Sequence, residues 1–145
     1  MLASVLLVDW PSQDVPRALL GAGFAVLSAN LEAGTASAYD VLDPDAPAAP
    51  ARGLEIIAPD RDGDAPLVIR RLPAMPSRVG VVALFRPEAE HTEITRRAIN
   101  LRATAIWVQR GRLSGEARRL ADRAGIAVID DVRLADAIPA LLAFD

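Results

Sequence analysis

The sequence predicts a single α/β domain, a doubly wound parallel sheet of about five strands with helices on both faces. Three observations carry that reading. Thr104 to Asp131 reads strand, helix, strand within ~30 residues, the span of one βαβ unit. Three earlier apolar runs, at Ser4–Val8, 24–29 and 79–85, are continuous rather than alternating, as strands buried on both faces are. The chain has 145 residues, of which 52% are hydrophobic, enough for one domain with a real core.

Taken in order, the first strand ends at Asp9-Trp10-Pro11-Ser12, because Pro11 has no N–H to give to a ladder. Ser12 or Asp14 caps the next helix, and Pro16 is tolerated only in its first turn, so the start falls at residues 13–15. Val15, Ala18, Leu19 and Ala22 form its apolar face, and Gly23 ends it. The second strand runs from Phe24 to Ala29, with Asn30 just past its carboxyl end.

The rhythm then breaks. Pro44, Pro47, Pro50, Pro59, Pro66 and Pro73 are six of the chain's eleven prolines, and Asp43 to Pro50 reads as an extended loop. Leu54–Ala58 and Leu67–Leu72 are short strand-like runs around a turn at Gly63, so a small β-hairpin insertion is expected at residues 54–72, as an excursion from the sheet.

Val79–Phe85 resumes the sheet and ends at Arg86-Pro87. Pro87 suits a first helical position, Glu88 and Glu90 its acidic first turn, and Ile94, Ala98 and Leu101 the buried stripe that follows. In the βαβ unit, Ser114 is the expected N-cap and Glu116 favours the helix dipole. Ala117, Leu120, Ala121 and Ala124 recur at helical spacing, and Gly125 stops the helix. Leu134–Phe144 is a closing amphipathic helix with Ala135, Ile138, Leu141 and Leu142 inward, which Pro139 bends or interrupts at the end of its first part. The right-handed crossover rule gives an expected strand order of 3-2-1-4-5, counted without the hairpin.

Bulk composition narrows the function classes. No apolar run approaches the ~20 residues of a membrane span, and the N-terminus lacks the basic region of a signal peptide, so a cytoplasmic location is expected. The chain has no cysteine, which removes disulfides, thiolate metal sites and cysteine nucleophiles. Net charge is −3 with the signs mixed, which is not the footprint of a nucleic-acid binder. The single histidine, His91, shares a helical face with Ile94 and Ala98 and reads as structural or surface rather than as a base; no metal site is visible.

Ligands of open parallel sheets bind beyond the carboxyl ends of the strands, where strand order reverses. The residues there are Asp9 to Ser12, Asn30, Arg86-Pro87, Gln109 to Arg112 and Asp130-Asp131. Any buried strand must emerge into polar residues, so solvation alone accounts for part of this list. The helix N-termini after Ser12, Pro87 and Ser114 present free N–H groups to the same edge, where they attract phosphate. Arg110 and Arg112 beside Gly111 are phosphate candidates or a solvated loop. Trp10 either stacks on a base or packs against the second strand, and Trp107 reads as core.

Over nearly its whole length, loosely at first and better from Val79 on, the chain resembles the small Rossmann-like CoA-binding domain proteins, relatives of the nucleotide-binding domain of the succinyl-CoA synthetase alpha subunit. Phe85-Arg86-Pro87 is similar to the family's Phe-Arg after its fourth strand, and Ile106-Trp107-Val108-Gln109-Arg110-Gly111 to its tryptophan-glutamine-x-glycine segment. Residues 116–130 are similar to its last helix and strand, including the closing Asp130. The resemblance implies a non-catalytic domain that binds CoA or a related adenine nucleotide. Its site would comprise Trp10, Ser12, Asn30, Arg86, Pro87, Gln109, Arg110, Gly111 and Asp130, with Asn30 at the adenosine part and Ser12 and Arg86 at phosphate.

Departures from the family pattern define a rival. Gly-Ala-Ser after the first strand is Val8-Asp9-Trp10 here, Val-Asn-Pro is Ala29-Asn30-Leu31, and Asp-Arg-Cys is Asp130-Asp131-Val132. These changes add bulk and negative charge where the resemblance puts a pyrophosphate. The alternative is therefore a degenerate scaffold that has lost its nucleotide and acts through protein contacts or a homodimer.

Overall fold

A computed structural model describes residues 4–12, 14–29, 39–43, 54–57, 67–71 and 78–143. Its elements are β1 (Ser4–Val8), α1 (Asp14–Gly21), β2 (Ala25–Ala29), β3 (Tyr39–Asp43), β4 (Leu54–Ile57), β5 (Leu67–Arg71) and β6 (Val81–Leu84). A 3-10 turn (Glu88–Glu90), α2 (His91–Asn100), β7 (Ala105–Val108), α3 (Gly115–Ala124), β8 (Ala127–Ile129) and α4 (Leu134–Leu142) complete it. One sheet runs β4-β5-β3-β2-β1-β6-β7-β8.

The five strands β2, β1, β6, β7 and β8 are parallel, as the continuous apolar runs predict. Their order is 2-1-3-4-5 in the hairpin-free count, not 3-2-1-4-5. The place expected for the third parallel strand, outside β2, is taken by antiparallel β3. The predicted hairpin forms as β4 and β5, but it joins the sheet through β3 instead of standing apart from it. Strand β3 was not expected at all. It satisfies the outer backbone edge of β2, which would otherwise be a bare row of donors and acceptors.

Alternation along β1 divides the core into two layers. Leu6 and Val8 point to one face, with Ile94 and Ala98 of α2 and Ala117 and Ala121 of α3. Val5 and Leu7 point to the other, with Val15 and Leu19 of α1 and Ala137 and Leu141 of α4. Each fully buried Leu or Val here contributes about 1.5–3 kcal/mol of burial. Trp107 is core, 1% exposed, on the α1/α4 face.

Local signals account for most of the helix ends. Ser12 Oγ accepts the Asp14 N–H at 3.3 Å, and Pro16 lies in the first turn of α1. Ser114 Oγ accepts the Ala117 N–H at 3.2 Å, and Gly125 ends α3 in the left-handed region at φ 74°. Pro87 sits one place outside its expected position, before the 3-10 turn, with α2 beginning only at His91. Ala124 is exposed although it lies seven residues after buried Ala117, because α3 ends there. In α4 Ala137 and Leu141 are buried and Ile138 packs, partly buried, against the same cluster; Ala135 and Leu142 face solvent, and the helix continues through Pro139. Gly80 lies so close to β1 that a Cβ there would be 3.1 Å from the Ser4 carbonyl oxygen. Among the described residues no helix is long and apolar enough to cross a membrane.

Candidate functional site

Strand order reverses between β1 and β6. The chain leaves β1 for β2 on one side, through α1 on one face, while β6, β7 and β8 step away on the other side with α2 and α3 on the opposite face. This is the topological switch point, where a crevice opens beyond the strand ends. Asp9 follows β1 and Arg86 follows β6, so the two loops that flank the crevice carry opposite charges.

Those charges meet. Arg86 Nη1 lies 3.2 Å from Asp9 Oδ2, a contact across 77 positions of sequence. The rest of the guanidinium is taken by Glu90, with Nη2 donating to Oε2 at 2.8 Å and Nε at 3.1 Å. The hydrogen bonds that Arg86 donates to Glu90 and then to Asp9 raise its pKa above the usual value. All three side chains are partly open to solvent. Asp9 is itself held in an uncommon backbone state, φ 68°. Its carboxylate accepts the Trp10 N–H at 2.8 Å, and its carbonyl accepts Gln109 Nε2 at 2.8 Å. Gln109 thus reaches from β7 across β6 to the end of β1, while its buried Oε1 has no partner among the described residues.

His91, 4% exposed, joins the loop after β6 to a further one, that after β7. Its Nδ1 accepts the Ser114 N–H at 3.1 Å, which leaves Nε2–H to donate to the Arg86 carbonyl at 3.1 Å. With both ring nitrogens engaged by backbone, His91 ties the loop after β6 to the start of α3. At the far end of the edge, Asp130 accepts the Leu113 N–H at 3.0 Å and pairs with Arg118, and Asp131 pairs with Arg112 at 3.3 Å. These residues line an open polar cleft of about 580 Å³.

The family model described as the CoA binding domain matches residues 7–132. That span takes in both flanks of the crevice and every parallel strand but the first residues of β1. The chain belongs to the CoA binding domain family. A solved structure, that of cell-free ID.343 from Thermus thermophilus, is similar in fold, with a TM-score of 0.58 at 20% identity over 97% of this chain and 90% of that one. No curated protein matches the chain.

Within this CoA-binding-domain frame the predicted site residues divide into three groups. Arg86 and Gln109 converge at the switch point, both bonded to Asp9. Ser12 caps α1 nearby, and Trp10 is half-buried against the α1/α4 core. Pro87 is exposed at the mouth, and Arg110 lies over the Phe85 ring, 5.3 Å from its centroid. Gly111, at φ 80°, and Asp130 belong instead to the β8 end, where the Gly111 carbonyl accepts the Asp131 N–H at 2.9 Å. Asn30 lies outside the described residues. Sequence reasoning missed Glu90 and the bridging role of His91. The four-residue spacing of Arg86 and Glu90 is a signal that would have found the first.

Proposed function

We propose that this chain binds CoA or a related adenine nucleotide, without catalysis, at the crevice between the carboxyl ends of β1 and β6. The observation that carries this reading is membership of the CoA binding domain family, since the family match spans both flanks of that crevice. The N-terminus of α1 beside Ser12 supports it through the positive end of the helix dipole, which favours a phosphate, although Ser12 already accepts the Asp14 and Val15 N–H groups. No catalytic role is assigned: the His91 nitrogens are both spent on backbone groups, and Asp130 is engaged by Leu113 and Arg118. Among the described residues no group of three His, Asp or Glu side chains gathers as a metal site would require. Isothermal titration with CoA, acetyl-CoA, NAD and ATP tests the reading. Heat of binding with CoA or another adenine nucleotide is expected; silence from all four at millimolar concentration with folded protein would remove it.

The Asp9–Arg86 pair favours a second reading, in which the scaffold has lost its nucleotide and works through protein contacts or a homodimer. Val132 and Leu142, 38% and 45% exposed, supply apolar surface on that reading. Light scattering that shows a stable dimer, together with silent titrations, would select it. A cytoplasmic location belongs to both readings as a proposal.

A further inference from the structure

We infer that Asp9 sets the charge selectivity of the switch-point crevice by acting as an internal anion, its carboxylate occupying the face of Arg86 that a ligand phosphate would take. The inference rests on the nucleotide reading for the ligand, but its geometry is independent of it. The Asp9–Arg86 contact, 3.2 Å long, spans the two loops that flank the point where strand order reverses. It is therefore a strap between the two loops at the mouth of the crevice, partly open to solvent.

Three observations make the strap a built feature. Asp9 stands at φ 68°, a state that a non-glycine residue adopts at a cost, and local contacts hold it there. One is its own carboxylate to the Trp10 N–H, and the other is Gln109 Nε2 to its carbonyl at 2.8 Å. Meanwhile Glu90 takes Nε and Nη2 of Arg86, which leaves Nη1 as the edge turned to Asp9. A guanidinium with one edge fixed by Glu90 is oriented, and whatever anion lies beside β1 receives the other edge. In the structure that anion is Asp9. An incoming phosphate must either displace the carboxylate or sit beside it, and each route costs affinity in proportion to ligand charge.

The consequence is a crevice that accepts neutral parts of a ligand normally and discriminates against phosphate. The test compares the native chain with Asp9→Asn, which keeps the left-handed backbone state because asparagine tolerates it as aspartate does. Each is titrated with CoA, adenosine and inorganic pyrophosphate at low salt. Asp9→Asn is expected to raise affinity for CoA and pyrophosphate about tenfold, leave adenosine unchanged, and lose most of the gain at high salt. Adding Arg86→Gln to Asp9→Asn is expected to abolish the gain, whereas adding Arg86→Lys should keep part of it. Equal pyrophosphate and CoA affinities in the native and Asp9→Asn chains would overturn the inference, as would a gain that survives Arg86→Gln. If CoA is silent with both chains while pyrophosphate gains on Asp9→Asn, the nucleotide reading falls and the inference stands. Silence of every probe with both folded chains overturns it too.

Discussion

His91 accepts the backbone N–H of Ser114 at 3.1 Å, although 23 positions separate the two residues. Because Nδ1 is the acceptor, the ring carries its proton on Nε2 and gives it to the Arg86 carbonyl. Replacing His91 with Ala strands a backbone donor and a backbone acceptor and leaves a void in a buried position. Urea denaturation should show a loss of about 2–4 kcal/mol. Nitrogen-15 NMR of the native ring should show the Nε2–H tautomer, and the Ser114 amide should exchange faster in the variant.

Thr95 is 0% exposed, and its Oγ1 has no partner among the described residues. A buried hydroxyl without a hydrogen bond costs stability, and valine has nearly the same shape. Thr95→Val is therefore expected to stabilise the fold by about 1 kcal/mol. An unchanged or lower urea midpoint would show that the hydroxyl is satisfied.

Gly80→Ala is expected to act in the opposite direction. The added Cβ would stand 3.1 Å from the Ser4 carbonyl oxygen, which also accepts the Gly80 N–H at 3.0 Å. Neither backbone can withdraw without weakening the β1–β6 pairing, so a loss of about 1–2 kcal/mol is expected in thermal or urea unfolding.

Ser114→Ala removes the hydroxyl that accepts the Ala117 N–H, and about 1 kcal/mol of stability should go with it. Ser114→Asp keeps an acceptor at the same place, next to the positive end of the helix dipole, and should restore most of the loss. The two variants together separate capping from packing.

Much of the fold is readable in the chain because its signals are local. A continuous apolar run marks a strand buried on both faces, Ser114 and Gly125 mark the ends of α3, and Ser12 with Pro16 marks the start of α1. Strand β3 was illegible for the converse reason. Tyr39–Asp43 carries two aspartates in five residues, and what makes it a strand is pairing with β2 and with β5, the latter far along the chain. The strand order failed with it, since the crossover rule fixes handedness but not which edge a strand joins. The candidate site was legible as a list of strand ends and illegible as a set of partners. Nothing between residues 9 and 86 announces that these two side chains meet; only the sheet order makes them neighbours. Trp10 packs, partly buried, against the cluster that holds Val5, Leu7 and Val15, and its exposed part stays open to a ligand.

The position of β1 between β2 and β6 also bears on how the chain is made. Its pairing with β2 is available as soon as about 20 more residues are synthesised, a local crossover through α1. Its other edge has to wait for β6, whose approach is marked by the Gly80 N–H bonding Ser4 Oγ across 76 positions. At a translation rate of ~5–20 residues per second, that wait is about 4 to 15 seconds. Throughout it Val5, Leu6, Leu7 and Val8 present a bare apolar strand edge while the proline-rich segment is threaded out. An unpaired apolar strand edge is prone to pair with other chains, so the centre of the future sheet is where mispairing is expected when the chain refolds at high concentration.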